Sequence, residues 1–280
     1  MPLVTSEKML LDAMKNRYAV GAFNIENMEM AQAVIAAAEA QRAPVMIQTT
    51  PGTLKYAQPD TFAGIVASLA KRASVPVCLH LDHGSSYELA ARCLMAGYTS
   101  VMIDGSRLDF EDNIELAKRV VALASLNDIP VEAELGKVGG KEDDLQDGGQ
   151  AYTDPDTAAE FVARTGISSL AVAIGTAHGV YKVRPVLDVE RLKEIRKAVD
   201  IPLVLHGASG LTDEQVMSCV AEGICKVNFA TELRIAYTKG VTEALKEQPI
   251  DPKAYGTAGR KCVQELVEKW MKVCGASGRC

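Results

Sequence analysis

No stretch of this sequence stays apolar for the roughly 20 consecutive residues that a membrane helix needs, so a membrane-spanning protein is not expected. The first residues, Met1 to Glu7, lack the charged-then-apolar pattern of a secretory signal, and a cytoplasmic location is the expectation. Positive charge is not in excess either. Thirty Lys and Arg stand against 36 Asp and Glu, a net charge of −6, which leaves no basic footprint for nucleic acid. The seven cysteines are odd in number, unevenly spaced and without a Cys-x-x-Cys pair, so reduced, mostly buried thiols are expected. What is present is enough apolar material, 48% of 280 residues, for one large core.

A single theme repeats along the chain: a short β-branched run, a polar turn, then a helical stretch rich in Ala, Leu, Glu and Lys. Strands are predicted over 18–25, 44–50, 76–82, 100–105, 130–136, 169–175, 202–207 and 226–231. Helices with apolar residues three and four apart separate them, among them 27–42, 85–96, 110–125, 155–165 and 212–222. Four of the strands open with Pro, a stop signal for the preceding helix. Eight strand–helix units argue for one (β/α)8 TIM barrel spanning 1–280, whose functional groups collect at the C-terminal ends of the strands. A doubly wound sheet is the alternative, weakened by the absence of Gly-x-Gly-x-x-Gly after the first strand. Two segments exceed the repeat. Residues 137–153 read as a mobile, Gly- and Asp-rich loop at the active site, and 261–273 as a C-terminal helix.

The predicted strand ends are polar. Asn24, Thr49, Asp82 with His83, Asp104, Glu134, His178, His206 and Asn228 fall at or near successive ends, which places three of the four histidines on one rim and leaves only His80 inside a strand. Three imidazoles with an open fourth position match a catalytic zinc site; ordinary acid–base or hydrogen-bonding duty is the alternative. Asp82 and His83, on consecutive positions, would approach a substrate from two sides, one as proton carrier and the other through a metal. Small residues at 175–179, 206–210 and 228–232 offer backbone amides to a phosphate, at the loops where this fold favours one; Ser209, Thr231 and Lys182 could add side-chain donors.

Together these motifs carry a resemblance. The stretches Ala22 to Asn24, His80 to Ser86, Ser100 to Ser106, Val131 to Asp143, Gly175 to Lys182, Leu205 to Gly210 and Lys226 to Asn228 resemble the class II, zinc-dependent ketose-bisphosphate aldolases over nearly the whole chain. The resemblance implies zinc on His83, His178 and His206, with Asp104 and Glu134 as a second metal position or as partners that orient the histidines. It implies that Gly179, Lys182, Gly207, Ala208, Ser209, Asn228, Phe229, Ala230 and Thr231 hold the dihydroxyacetone-phosphate end, that Asn24 and Thr49 join the substrate site, and that Arg260, from a neighbouring subunit, meets the distal phosphate. A homodimer or homotetramer, a phosphorylated sugar as substrate and a monovalent cation as additional cofactor belong to the same expectation.

Aldol cleavage requires the C4 hydroxyl to lose a proton and the resulting enediolate to be stabilised, which zinc supplies as a Lewis acid. Within that scheme Asp82 moves the C4 hydroxyl proton, Glu142 the carbon-bound proton, and Asn228 donates to the enediolate oxygen. The alternatives are a zinc hydrolase on the same histidines, a non-catalytic pathway subunit, and a lysine-based aldolase. Ala230 replaces the Asp or Asn of fructose-type relatives and, with 175–178, resembles the tagatose type, whereas 80–86 and the terminal segment look more like the fructose type. Tagatose 1,6-bisphosphate is the expected substrate, with fructose 1,6-bisphosphate or another ketose phosphate as the alternative.

Overall fold

The computed structural model describes residues 3–142, 145–147, 151–179, 181 and 185–280. Its strands are β1 (Val20–Asn24), β2 (Val45–Thr49), β3 (Val77–Gly84), β4 (Ser100–Ile103), β5 (Val131–Leu135), β6 (Gly139–Glu142), β7 (Leu145–Asp147), β8 (Ser169–Val172), β9 (Ala177–His178), β10 (Leu203–Leu205) and β11 (Ile224–Phe229). The helices are α1 (Ser6–Asn16), α2 (Met28–Gln41), α3 (Pro51–Tyr56), α4 (Pro59–Ala70), α5 (Tyr87–Ala96), α6 (Phe110–Ala124), α7 (Pro155–Thr165), α8 (Val189–Ala198), α9 (Asp213–Ala221), α10 (Thr231–Leu245) and α11 (Pro252–Val273). Eight strands close into a parallel barrel in the order β1-β11-β10-β8-β5-β4-β3-β2, the (β/α)8 architecture expected. Among the described residues no helix is long and apolar enough to cross a membrane.

Local chemistry explains most of the boundaries. Asn27, Ser86 and Asp154 cap α2, α5 and α7 by accepting from Met30, Leu89 and Thr157 N–H. Thr212 and Gln215 form a reciprocal capping box on α9. Pro44, Pro76, Pro130 and Pro202 each sit one residue before a strand, where a missing N–H costs nothing. Their carbonyls still serve: Val45, Val101 and Leu170 N–H donate to Pro76, Pro130 and Pro202. At the N-terminal end of the barrel, α1 closes the floor, with Val4 N–H donating to Val77 O and Ser6 Oγ 3.0 Å from Ser100 Oγ.

Every barrel strand is buried throughout, because helices cover its outer face and side chains fill the lumen. The two faces differ in polarity. Phe23, Ile47, Leu79, Leu81, Ala133 and Val227 belong to the apolar core, while Asn24, Gln48, His80, Asp82, Glu132 and Lys226 alternate with them and hydrogen-bond to one another across the barrel. Five of the seven cysteines are buried, and burial pushes the thiols of Cys78, Cys93, Cys219 and Cys274 up to about 12.

Three features depart from the sequence-based expectation. First, β3 runs on through His83 to Gly84, so His83 joins His80 inside a strand, and the β3–β4 register slips between Leu81 and Gly84. Three residues of β3 therefore face two of β4, a bulge in which His83 takes a left-handed φ of 47° and its N–H turns to Met102 Sδ at 3.3 Å. Second, residues of 137–153 form a hairpin, β6 with β7, and β6 pairs with β9, so Gly140 lies beside His178. Third, α11 begins at Pro252, nine residues before the predicted start. Gly256 and Gly259 read as helix breakers, but Gly259 has a packing role: a Cβ there would sit 2.6 Å from the Tyr237 ring, and one at Gly240 would sit 2.5 Å from Ala258 O. Glycine lets α10 and α11 approach closely, and tertiary packing overrides its low helix propensity.

Gly84 locks the bulge, since a Cβ at that position would lie 2.2 Å from Met102 O, a backbone atom that cannot step aside. Gly84→Ala is therefore expected to lose about 1–3 kcal/mol of stability, read as a lower denaturant midpoint. Unchanged stability would show that the bulge can relax.

Candidate active site

The bulge decides where the third strand delivers its chemistry. Without the extra residue, Asp82 and His83 would point to opposite faces of the sheet; with it, both reach the interior. The His83 ring lies 4.5 Å from that of His206 and 4.9 Å from that of His178, centroid to centroid. His206 directly follows β10, and His178 ends the short β9. One ligand atom from each of the three lies within 4.8 Å of the others, a grouping that could hold a metal ion.

The surroundings determine which nitrogen each ring presents. Asp104 Oδ2 lies 3.0 Å from His83 Nδ1, and its other oxygen accepts from Ser106 N–H and Oγ–H. Burial opposes ionisation of Asp104, yet these bonds hold it below the usual carboxylate range. An ionised carboxylate only accepts, so His83 carries its proton on Nδ1 and its lone pair on Nε2. His206 is reversed: Nε2 lies 2.9 Å from Glu132 Oε1 and donates to it. His206 Nδ1 is buried and lies 3.2 Å from Glu134 Oε2, an ion pair when the ring is protonated, and neither atom has another hydrogen-bond partner. Two buried polar atoms with no hydrogen-bond partner but each other, facing a cluster of imidazoles, suit a bound cation. Burial and the neighbouring His83 push the His206 imidazole down, but the carboxylates of Glu132 and Glu134 outweigh them and raise it to about 9. A metal binding there would displace that proton. Asp104 and Glu134 thus both contact the histidines, and with His83 they form a second group with metal-ligand spacing.

Asp82 lies one layer below the pocket surface, 1% exposed, held between two amides. Asn24 Nδ2 donates to one oxygen at 2.8 Å and Asn228 Nδ2 to the other at 3.0 Å, while Gln48 Nε2 donates to Asn24 Oδ1 at 2.7 Å. This chain of donors leaves the carboxylate only acceptors' work, and both amides line the pocket above it.

The rest of that pocket is made by His178, Gly179, Gly207, Ser209, Ala230, Thr231 and Arg234. Gly207 has φ of 66°, and a Cβ on it would strike Ala177 O at 2.6 Å, so the loop after β10 must be glycine to lie against the loop carrying His178. Tyr181 Oη joins the same two loops, accepting from Ala177 N–H and donating to Gly207 O, both at 2.7 Å. Glu232, in the first turn of α10, accepts from Gly210 N–H and from Trp270 Nε1–H, each at 2.7 Å. Loop, helix N-terminus and C-terminal helix are thereby tied into one corner beside the pocket.

Several predicted residues sit elsewhere. Thr49 Oγ1 bonds Tyr98 Oη at 2.8 Å outside the lumen, and it is the neighbouring Gln48 that reaches inward. The Phe229 side chain packs between Phe23 and Trp270, leaving only its backbone for a ligand, and Ala208 is fully buried. Arg260 donates to Gln32 Oε1 at 2.9 Å in the contact between α11 and α2 of its own chain, whereas Arg234, paired with Glu26, lines the pocket. Lys182 and the Glu142 side chain lie outside the described residues. Gln48, Glu132, Tyr181, Arg234 and Glu232 were not singled out for the site from the sequence, and Lys226 entered only as a candidate for the lysine-based alternative; period-two alternation with the rim residues was the available signal for Gln48, Glu132 and Lys226.

The parallel barrel gathers three histidines that could hold a metal ion beside the loops after its last two strands. The chain belongs to the class II fructose-bisphosphate aldolases, whose family model matches residues 4–279, and is accordingly a lyase. It is 39% identical to the YdjI aldolase from Escherichia coli K12, with 99% of each chain covered and a TM-score of 0.88. A Coccidioides immitis protein provisionally assigned as a fructose-1,6-bisphosphate aldolase is 36% identical over 97% of this chain and 96% of its own, with a TM-score of 0.91. A fructose-bisphosphate aldolase from Campylobacter jejuni shares the fold at a TM-score of 0.85, with 24% identity, 100% of this chain and 97% of that one covered.

Divalent metal added to chelator-stripped protein is expected to bind tightly at the histidines, and His178→Ala to abolish that binding. Asp104→Asn, which keeps an acceptor but loses the charge that fixes the His83 tautomer, should weaken it by about 10–100-fold. Calorimetric titration with Zn2+ decides; equal affinity in all three proteins would move the metal away from this cluster.

Proposed function

We propose that the chain is a zinc-dependent aldolase that reversibly cleaves a ketose 1,6-bisphosphate, preferentially tagatose 1,6-bisphosphate, to dihydroxyacetone phosphate and glyceraldehyde 3-phosphate. The observation that carries this reading is the placement of one carboxylate, Asp82, between a three-histidine cluster and the loops after the last two barrel strands, with amides on both of its oxygens. Zinc at the histidines supplies a Lewis acid for the ketose carbonyl.

The protein's own groups divide the remaining work. Gly207 and Ser209 after β10, with Ala230 and Thr231 at the N-terminus of α10, line the pocket and hold the phosphate of the dihydroxyacetone half. Asp82 takes the C4 hydroxyl proton in cleavage and returns it to the aldehyde oxygen in condensation. Asn24 and Asn228 keep its two oxygens aimed for that exchange. Asn228, which spends one N–H on Asp82, retains the other for the developing oxyanion. Glu142, at the end of the β6 strand that pairs with the His178 segment, carries the carbon-bound proton. Lys182 adds a cation to the phosphate, and Arg260 serves the distal phosphate from an adjacent subunit of a homo-oligomer. A monovalent cation accompanies the zinc.

Asp82→Ala is expected to stop carbon–carbon cleavage, with kcat down at least about 10²-fold, while exchange of the dihydroxyacetone-phosphate proton with solvent continues. Glu142→Ala should suppress that exchange. The reverse pattern would exchange the two roles, and full activity after chelation or a borohydride-trapped lysine adduct would overturn the metal reading.

Ala230 supports the tagatose preference. It lines the pocket, and its side chain can neither donate nor accept to a C4 hydroxyl. The family description and the Coccidioides relative instead favour fructose 1,6-bisphosphate, the second reading. The two sugars are C4 epimers, so kcat/KM for each separates the readings. Ala230→Asp should move the ratio towards fructose by about tenfold, the worth of one hydrogen bond. A natural chain that already prefers fructose, or a ratio indifferent to the substitution, rejects the tagatose assignment.

A further inference from the structure

Lys226 and Glu132 lie in the barrel lumen beneath the histidines, with no solvent exposure to speak of, and neither is explained by the chemistry above. Lys226 Nζ donates to both Glu132 oxygens, at 2.8 and 3.1 Å. One of those oxygens also takes the proton of His206 Nε2 at 2.9 Å. On its other side Lys226 approaches His80 Nε2 at 3.4 Å. An ammonium has only protons to offer, so His80 must accept there and donate through Nδ1 to Ser100 Oγ at 2.8 Å, which in turn meets Ser6 Oγ. The donor directions thus diverge from Lys226, to Glu132 on one side and through His80 to Ser100 on the other, while His206 donates to Glu132 from the rim.

We propose that Glu132 is a positioning residue for the metal: held in place by Lys226 on both oxygens and accepting the Nε2 proton of His206, it commits that ring to present Nδ1 as the ligand. This rests on the metal reading above. If the acceptor were lost, the ring could carry its proton on either nitrogen or turn over, and the site would lose one preorganised donor of three.

The test compares two paired substitutions, both of which remove the two buried charges together so that no lone ion is stranded. In Glu132→Gln with Lys226→Met, the amide oxygen still accepts from His206 and the NH2 faces His80. In Glu132→Leu with Lys226→Met, no acceptor remains. The affinity of metal-stripped protein for Zn2+ should stay within a few-fold of the natural chain in the first pair and fall by about 10–100-fold in the second. Both should share the natural melting behaviour of the metal-free state. Equal affinities in the two pairs would reduce Glu132 to a structural role and overturn the proposal.

Should either pair fail to fold, the natural chain decides alone. In the Zn2+-loaded protein, the 15N shifts of His206, assigned by their loss in His206→Gln, should show a protonated Nε2 and a metal-bound Nδ1. The opposite pattern refutes the proposal. A natural chain that takes up no Zn2+ would instead reject the metal reading itself.

Discussion

A lysine and a glutamate buried together at 2.8 Å are the constraint around which the interior of this barrel is arranged. Removing either charge from water costs several kcal/mol, and mutual attraction offsets that only when the remaining donors and acceptors are also satisfied. Here they are: His206, His80, Ser100 and Ser6 extend the pair in both directions, and burial of Glu132 is outweighed by the Lys226 ammonium, so the carboxyl stays well below its usual range. His80 is lowered as well, by burial and by the nearby Lys226 charge, and so stays neutral. An apolar lumen would make a sturdier barrel, so the polar one is best understood as scaffolding for the rim.

That rim is assembled from residues far apart in sequence. Strands β3, β10 and β11 deliver His83, His206 and Asn228, while His178 comes from a short strand outside the barrel sheet, paired to a hairpin. The pairing of Gly140 with His178 leaves no room for a side chain, since a Cβ there would meet His178 O. The loop bearing Glu142 and the segment bearing a candidate metal ligand therefore share one backbone ladder. Displacement of one must be felt by the other.

Much of this was legible in the sequence because it follows from local rules. The helix over 155–165 has the predicted bounds, and the prolines at 44, 76, 130 and 202 marked strand starts within one residue. The three histidines could be assigned to one rim because the repeat fixed which ends of the strands they occupy. The rest depended on contacts that no local pattern encodes. Thr49 and Gln48 were separable only by knowing which parity faces inward. The bulge at Asp82 and His83 arises from the close approach of Gly84 to Met102, and α11 tolerates Gly256 and Gly259 because α2 and α10 press against it. Nothing local pairs Glu132 with Lys226, 94 residues further on; the opposing strands bring the two lumen charges together.

The chain contains one tryptophan, and its position gives the protein an optical property. Trp270 is 1% exposed, stacked 4.5 Å from Phe229, with its indole proton on Glu232 and the Lys269 ammonium 4.3 Å above the ring. Glu232 holds Gly210 with its other oxygen, so the excited state of a single chromophore senses the electric field at the corner beside the pocket. Intrinsic tryptophan emission from this protein accordingly reports on one place, the junction of the Gly210 loop with α10 and α11, without attaching a label.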